Sequence, residues 1–338
     1  MTVWALTLAF VAGVERDALP ETGNGLALQT ARACALELPV DPALSAAAAR
    51  HGAALLAGRL DAPEASVRAV GLGDSAVLPV ASLGPDRRKL VEAAAGRCPP
   101  AAFGATHVGA GWARGEGRWA ATILYSRRVI DWSAARWRKG FEVAGRSSGP
   151  TSSGRLAWLQ GCSSELICDR AQERAWRGQL QLRLSSADVV ELLADTETGP
   201  IVVGLWVRPG LEPSTPEATE AESAWTALRR VRGLPAGQEN PTLTRAAQAH
   251  ADYICRRGRA EHLDDQGRRP RARAREAGWS GPVAENVAVA RDLSRAFGNL
   301  LLSPTHHATL VDPRVRSFGF GQAEADGQLC LVQMFGHR

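Results

Sequence analysis

Two widely separated stretches of the chain follow one plan, and this duplication constrains the fold more than any other feature. Asp41-Pro42-Ala43-Leu44-Ser45 is matched by Asn240-Pro241-Thr242-Leu243-Thr244. Each pairs an Asp or Asn N-cap with Pro in the first turn, a strong helix-start signal. Both run on into Ala-rich sequence with a histidine at the same offset, His51 and His250. Leu243, Ala246, Ala247, His250 and Ile254 fall on one helical stripe. Later, Val108-Gly109-Ala110-Gly111 is matched by Phe318-Gly319-Phe320-Gly321. Each leads through a polar turn, around Gly117 or Gly327, into an apolar strand, Trp119 to Tyr125 or Leu329 to Phe335. A helix in front and a β-hairpin behind, used twice, predict an α+β chain with a repeated domain.

The stretch between the copies has a different pattern. Gln179-Leu180-Gln181-Leu182-Arg183-Leu184 alternates as a half-buried strand does, and Val189–Leu193 and Ile201–Val207 are short apolar runs. Short strands without a long amphipathic segment predict a small β-sandwich. Nothing in it suggests chemistry, and its expected role is that of a spacer or packing partner. Ser147–Gly154 has loop composition, and Pro209–Glu222 is an acidic stretch rich in Pro and Thr, the better domain boundary. The expected division is a first domain over 14–128, a β-rich spacer over 129–208, a linker over 209–222 and a second domain over 223–338.

Six cysteines could pair in many ways, but they fall two by two into successive segments. Local pairs are therefore expected: Cys34–Cys98, Cys162–Cys168 and Cys255–Cys330. No CxxC pair is present, which argues against a zinc ribbon. Six structural thiols in the cytosol remain an alternative, but an oxidising compartment is the better reading, so the protein is expected to be secreted or in the cell envelope. Val3 to Gly13 is a short apolar run that reads either as a signal segment over 1–13 or as a buried first strand; no basic residue precedes it. No run approaches the roughly 20 apolar residues of a membrane-spanning helix. The net charge of +5 is carried almost wholly by arginine, Lys89 and Lys139 being the only lysines. Nucleic acid is not the expected partner.

Five of the seven histidines follow residue 249. His262, Glu285 and His306 stand at the edges of expected elements, in Ala260-Glu261-His262-Leu263, Val283-Ala284-Glu285-Asn286-Val287 and Ser303-Pro304-Thr305-His306-His307. Two His and one Glu make the ligand set of an open zinc site with water in the fourth position; solvated loop histidines are the competing reading.

In sequence order, Gly233-Leu234-Pro235, Ala246–Ala251, the His262 loop, Arg271-Ala272-Arg273, Ala277-Gly278-Trp279, Glu285-Asn286-Val287-Ala288, Ser303–His306 and Phe318–Gly321 resemble a bacterial CAP domain. This is the superfamily of cysteine-rich secretory proteins, antigen 5 and pathogenesis-related plant proteins. The resemblance implies an α-β-α sandwich whose cavity carries two His and two acids, able in some members to hold a divalent metal. His262, Glu285 and His306 match three of the four. The second acid has no counterpart, since no Asp or Glu lies between Arg295 and Thr309. His307 stands where Arg is usual, as a substitute ligand or, preferably, a surface residue. The first copy lacks His between Leu60 and Cys98 and has no Glu-Asn pair, so it is expected to be a degenerate CAP-like scaffold.

The resemblance thus implies a partly open cavity formed by His262, Glu285, Asn286, Ser303 and His306, weakly holding zinc or another divalent ion in a domain that folds without it. Two functions compete, with a purely structural envelope protein as the remaining alternative. In one, the domain is an extracellular binding module for an unknown protein, lipid or envelope component; sterol and lipid binding occur in some relatives. In the other, His262 and His306 hold zinc and Glu285 is the general base of a hydrolase. No HExxH and no nucleophile elbow is present, so an enzyme is the lesser expectation.

Overall fold

The structure is a computed structural model that describes residues 22–59, 63–74, 77–95, 97–99, 104–128, 130–138, 140–147, 153–163, 166–196, 199–211 and 220–337. The apolar run at Val3–Gly13 lies outside the described residues, as do most of the two linker stretches. Two compact units divide the chain, one of residues 1–70 and 76–127, the other of residues 71–75 and 128–338.

The first unit contains α1 (Gly23–Ala33), α2 (Pro42–Leu56), α3 (Pro63–Ala69), β1 (Val77–Gly84), α4 (Arg87–Ala95), β2 (His107–Gly115) and β3 (Arg118–Ser126). The Asp41 carboxylate accepts from the backbone of Ala43 and Leu44, with Pro in the first turn, as its sequence predicts. The strands form an antiparallel sheet in the order β1-β3-β2. Gly109 and Gly111 lie beneath α2, whereas Val108 and Ala110 turn to a core shared with Leu26, Leu90 and Val91 of α1 and α4. Alternation along β2 thus puts one helix layer on each face of the sheet.

In the second unit the strands come first: β4 (Ile130–Arg138), β5 (Gly140–Ser147), β6 (Ser153–Gln160), β7 (Arg170–Arg177), β8 (Gln179–Leu184), β9 (Val189–Thr196) and β10 (Gly199–Val207). They make two sheets, β4-β5-β8 and β10-β9-β6-β7. Phe141, Val143 and Leu180 of one sheet meet Leu156, Trp158, Val190, Leu192 and Trp206 of the other in a common core. This is the expected β-sandwich.

The remainder is α5 (Ala221–Val231), β11 (Gln238–Glu239), α6 (Pro241–Arg257), α7 (Pro270–Glu276), β12 (Val283–Ala290), α8 (Leu293–Leu302), α9 (Pro304–Leu310), β13 (Val315–Ala325) and β14 (Gln328–His337). Its sheet has the order β11-β13-β14-β12, which leaves β12 at an edge. Leu243, Ala247 and Ile254 of α6 pack with Val287, Val332 and Met334 on one face. On the other, Trp225 of α5 and Phe297 and Leu300 of α8 pack with Ala288, Leu331 and Phe335. The result is the α-β-α sandwich expected.

Of the two roles expected of the β-sandwich, spacer or packing partner, the contacts are those of a packing partner. Leu159, Leu166, Val189 and Leu211 belong to the same apolar cluster as Trp225, Leu293, Phe297 and Leu310. Apolar side chains of the two parts are buried against one another, so the two share one core.

The Asp41 and Asn240 corners agree in detail. Asp41 N–H donates to Val108 O at 2.9 Å, and Asn240 N–H to Phe318 O at 2.7 Å. A Cβ at Gly109 would lie 2.4 Å from Ser45 N, and one at Gly319 would lie 2.1 Å from Thr244 N. A Cβ at Gly111 would lie 2.2 Å from Ala49 N, and one at Gly321 would lie 2.4 Å from Gln248 N. Glycine is required at these four places because helix backbone occupies the space of a side chain.

All three expected disulfides are present, with Cα–Cα distances of 5.4 Å for Cys34–Cys98, 4.0 Å for Cys162–Cys168 and 5.5 Å for Cys255–Cys330. Cys255 near the end of α6 is tied to Cys330 of β14, a bridge from helix to sheet.

Candidate functional site

Glu285 and Asn286 are neighbours on the edge strand β12, so their side chains leave opposite faces of the sheet. Glu285 turns to the α6–α7 side. There its Oε1 accepts from His262 Nδ1 at 2.9 Å and its Oε2 from Arg273 Nη2 at 2.5 Å. The Arg273 guanidinium also donates to the carbonyls of His262 and Arg268, at 2.8 and 2.7 Å. One buried arginine therefore fixes both the loop that carries His262 and the carboxylate that orients its ring. Asp264 braces the same loop. Burial works against its carboxylate, but hydrogen bonds from the Arg268 backbone and guanidinium outweigh that and hold its carboxyl below the usual range.

Asn286 turns to the α8–α9 side and is fully buried. Its amide donates to His306 O at 3.3 Å and to Gln333 Oε1 at 3.4 Å. His306 is held by the N-cap of its own short helix: Ser303 Oγ accepts from His306 N–H at 3.4 Å and meets His306 Nδ1 at 2.8 Å. At the far end of α9, Trp225 Nε1 and Arg229 Nη1 both donate to Leu310 O, at 3.0 and 3.2 Å. The helix is therefore secured at both termini.

The two histidines, carried by opposite sides of the sheet, meet at the β12 edge with ring centroids 6.5 Å apart. Each ring has its Nδ1 engaged, and among the described residues no hydrogen bond involves either Nε2. The His262 side chain is 31% exposed and that of Glu285 only 1%, so the site opens on the imidazole side. Desolvation, with the neighbouring His262, pushes His306 down to about 3, so its ring is neutral at physiological pH. A cavity of about 450 Å³ lined by Tyr253, Arg256, Arg257 and Asp265 includes none of these residues.

His307 is not a surface residue. It is 1% exposed, with Nδ1 turned to Leu301 O at 3.1 Å, and burial pushes it down to about 4. One residue further along α9 is about 100° further round the helix, which aims it at the end of α8 and away from His262. It makes no third ligand.

A further residue, absent from the sequence-based set, comes from the β-sandwich. Glu191 of β9 is fully buried. It contacts Ser303 Oγ at 2.6 Å through Oε1, and accepts from Thr305 N–H at 3.1 Å and Thr305 Oγ1 at 2.7 Å through Oε2. Burial pushes its carboxyl up, against the pull of these hydrogen bonds and of Arg155. The available signal was a lone carboxylate inside the run Val189-Val190-Glu191-Leu192-Leu193, since a charge on a buried strand must find partners.

The zinc set expected from the sequence shrinks in this geometry. Both Glu285 oxygens are committed to Arg273 and His262, and His307 faces elsewhere, which leaves two imidazoles. Among the described residues no group of three His, Cys, Asp or Glu side chains is arranged to hold a metal ion. The residues present do not fit a three-ligand zinc centre.

The α-β-α sandwich with this site coincides with a family match: residues 223–335 fit the cysteine-rich secretory protein family, CAP. Residues 223–335 are a CAP domain. The chain is similar to an outer surface protein from Borrelia burgdorferi, at 24% identity over 35% of this chain and 89% of that one, with a TM-score of 0.33. It is similar too to an extracellular SCP-domain protein from Bacillus anthracis, at 15% identity over 62% of this chain and 86% of that one, TM-score 0.30. A cysteine-rich secretory protein from Staphylococcus aureus matches at 11% identity over 60% and 84% of the two chains, TM-score 0.29. The curated proteins contain no match.

Proposed function

We propose that this chain is a secreted or envelope protein whose CAP domain binds a ligand at the His262–His306 edge and does not turn one over. The observation that carries the reading is the state of Glu285, the residue expected to be a general base. Its oxygens are taken by Arg273 and His262, and its side chain is 1% exposed. A general base must reach the proton it abstracts, and this carboxylate serves instead to orient an imidazole. Ser303 fares no better as a nucleophile, being 6% exposed and lying between Glu191 and His306. A catalytic triad instead needs the histidine in the middle.

Three disulfides support an oxidising compartment. Among the described residues no helix is long and apolar enough to cross a membrane. The matching Asp41 and Asn240 corners support the first unit as a CAP-like copy without the polar cluster, suited to a scaffold. The test is turnover by the full chain of p-nitrophenyl acetate and fluorescein-labelled casein. Equal background rates for the wild type and a His262→Ala, His306→Ala double variant are expected. Turnover that falls tenfold or more in the double variant would replace binding by hydrolysis.

A further inference from the structure

Hydrogen atoms can be counted around Glu191, and the count has one solution for an ionised carboxylate. Thr305 N–H is an obligate donor, and it shares Glu191 Oε2 with the Thr305 hydroxyl. Glu191 Oε1 then accepts from Ser303 Oγ, at 2.6 Å. That uses the one hydrogen Ser303 possesses, so its 2.8 Å contact with His306 Nδ1 must be one in which Ser303 accepts. The lone pairs of Ser303 receive His306 Nδ1–H and His306 N–H, and its hydrogen-bonding capacity is filled. With Glu191 ionised, as these three donors favour against its burial, His306 carries its proton on Nδ1, and Nε2 presents a lone pair to the site.

We propose that Glu191 of the β-sandwich is a positioning residue of the CAP site: through Ser303 it fixes the tautomer of His306 and so makes Nε2 an acceptor. Glu285 does the same for His262 by direct contact. The pair thus faces its ligand as two acceptors, each backed by a carboxylate, one from the CAP domain and one from the sandwich. This holds whether or not the bound ligand is turned over, and so stands apart from the binding reading.

Glu191→Gln is the discriminating variant because it keeps the shape and reverses the chain of donors. Two donors from Thr305 hold the carboxamide oxygen at the Oε2 position, so the NH₂ must occupy the other and donate to Ser303. Ser303 then donates to His306 Nδ1, and the proton moves to Nε2. Long-range ¹H–¹⁵N correlation of the histidine rings in the labelled full chain at neutral pH reads this directly, with His306 assigned by its loss in His306→Gln. The Nδ1–H form is expected in the wild type and in Thr305→Val, and the Nε2–H form in Glu191→Gln. Ser303→Ala should show a mixture, and it serves if Glu191→Gln does not fold. An Nε2–H wild type would overturn the proposal, as would retention of Nδ1–H in Glu191→Gln or an unchanged ring in Ser303→Ala.

Discussion

The α2–β2 corner of the first unit and the α6–β13 corner of the CAP domain are built from the same contacts, yet only the second is followed by a polar cluster. In both, an Asx-Pro cap starts the helix and two alternate glycines let it lie directly on a strand. Both helices bury a histidine at the matching position, His51 and His250. What differs lies downstream: His262, Arg273, Glu285 and His306 have no equivalents among the matched residues. The backbone device is therefore separable from the chemistry. It needs only small residues and a cap, whereas the site needs long-range partners in exact register.

The largest expected effect would separate the two by their staples. Replacing Cys34 and Cys98 by Ala, or Cys255 and Cys330 by Ala, removes loops with separations of 64 and 75 residues. Each should cost about 4–5 kcal/mol in the chain-entropy model. Hydrogen exchange of the full chain should show the loss confined to the domain that held the bridge. Loss spread evenly over both would break the comparison, because the two domains would then unfold together.

Next come the glycines. Gly109→Ala and Gly319→Ala should each cost about 1–3 kcal/mol, the usual penalty for forcing atoms into filled space. Urea unfolding followed by local exchange would measure both. A cost at Gly319 with none at Gly109 would show that the first corner only looks alike.

These corners were readable because a cap, a proline and alternate glycines are local marks. So were the cysteine pairs and the His262, Glu285 and His306 landmarks, which the structure brings to one edge. Arg273 was visible only as part of a landmark, and nothing local says that it will take the Glu285 carboxylate away from a metal. Glu191 was hidden for a stronger reason. It stands inside an apolar run, and its partners lie more than a hundred residues on, so no periodicity connects them. The burial of His307 failed likewise, since a histidine beside a site residue looks the same whichever way its helix is turned.

Acid should sharpen the contrast. His306 and His307 sit at about 3 and 4 in the folded protein, below the roughly 6.5 of an unfolded chain. The unfolded state then binds more protons as pH falls, so CAP-domain stability is present in full above about 6.5 and declines below it, by at most about 1.4 kcal/mol per pH unit for each histidine. Opening free energies from hydrogen exchange, corrected for the intrinsic pH dependence of the amides, should fall more between pH 7 and pH 5 within 223–335 than in the first unit. His307→Asn should flatten part of that slope; an unchanged slope would remove His307 from the account.

The smallest effect tests the caps. Asp41→Ala and Asn240→Ala should each lower stability by about 1 kcal/mol, read as similar small shifts in thermal midpoint. Fraying of α6 alone would mean that α2 is held by packing and not by its cap.

Glu191 has a second consequence, in the order of synthesis. When β9 leaves the ribosome, the helix cap that will hold this carboxylate has not been made. For that interval Val189-Val190-Glu191-Leu192-Leu193 is a β-prone apolar segment broken at its centre by a negative charge. Such gatekeeper charges discourage strand-to-strand aggregation. One side chain thus protects the unfinished chain, and in the finished one joins the sandwich to the CAP domain.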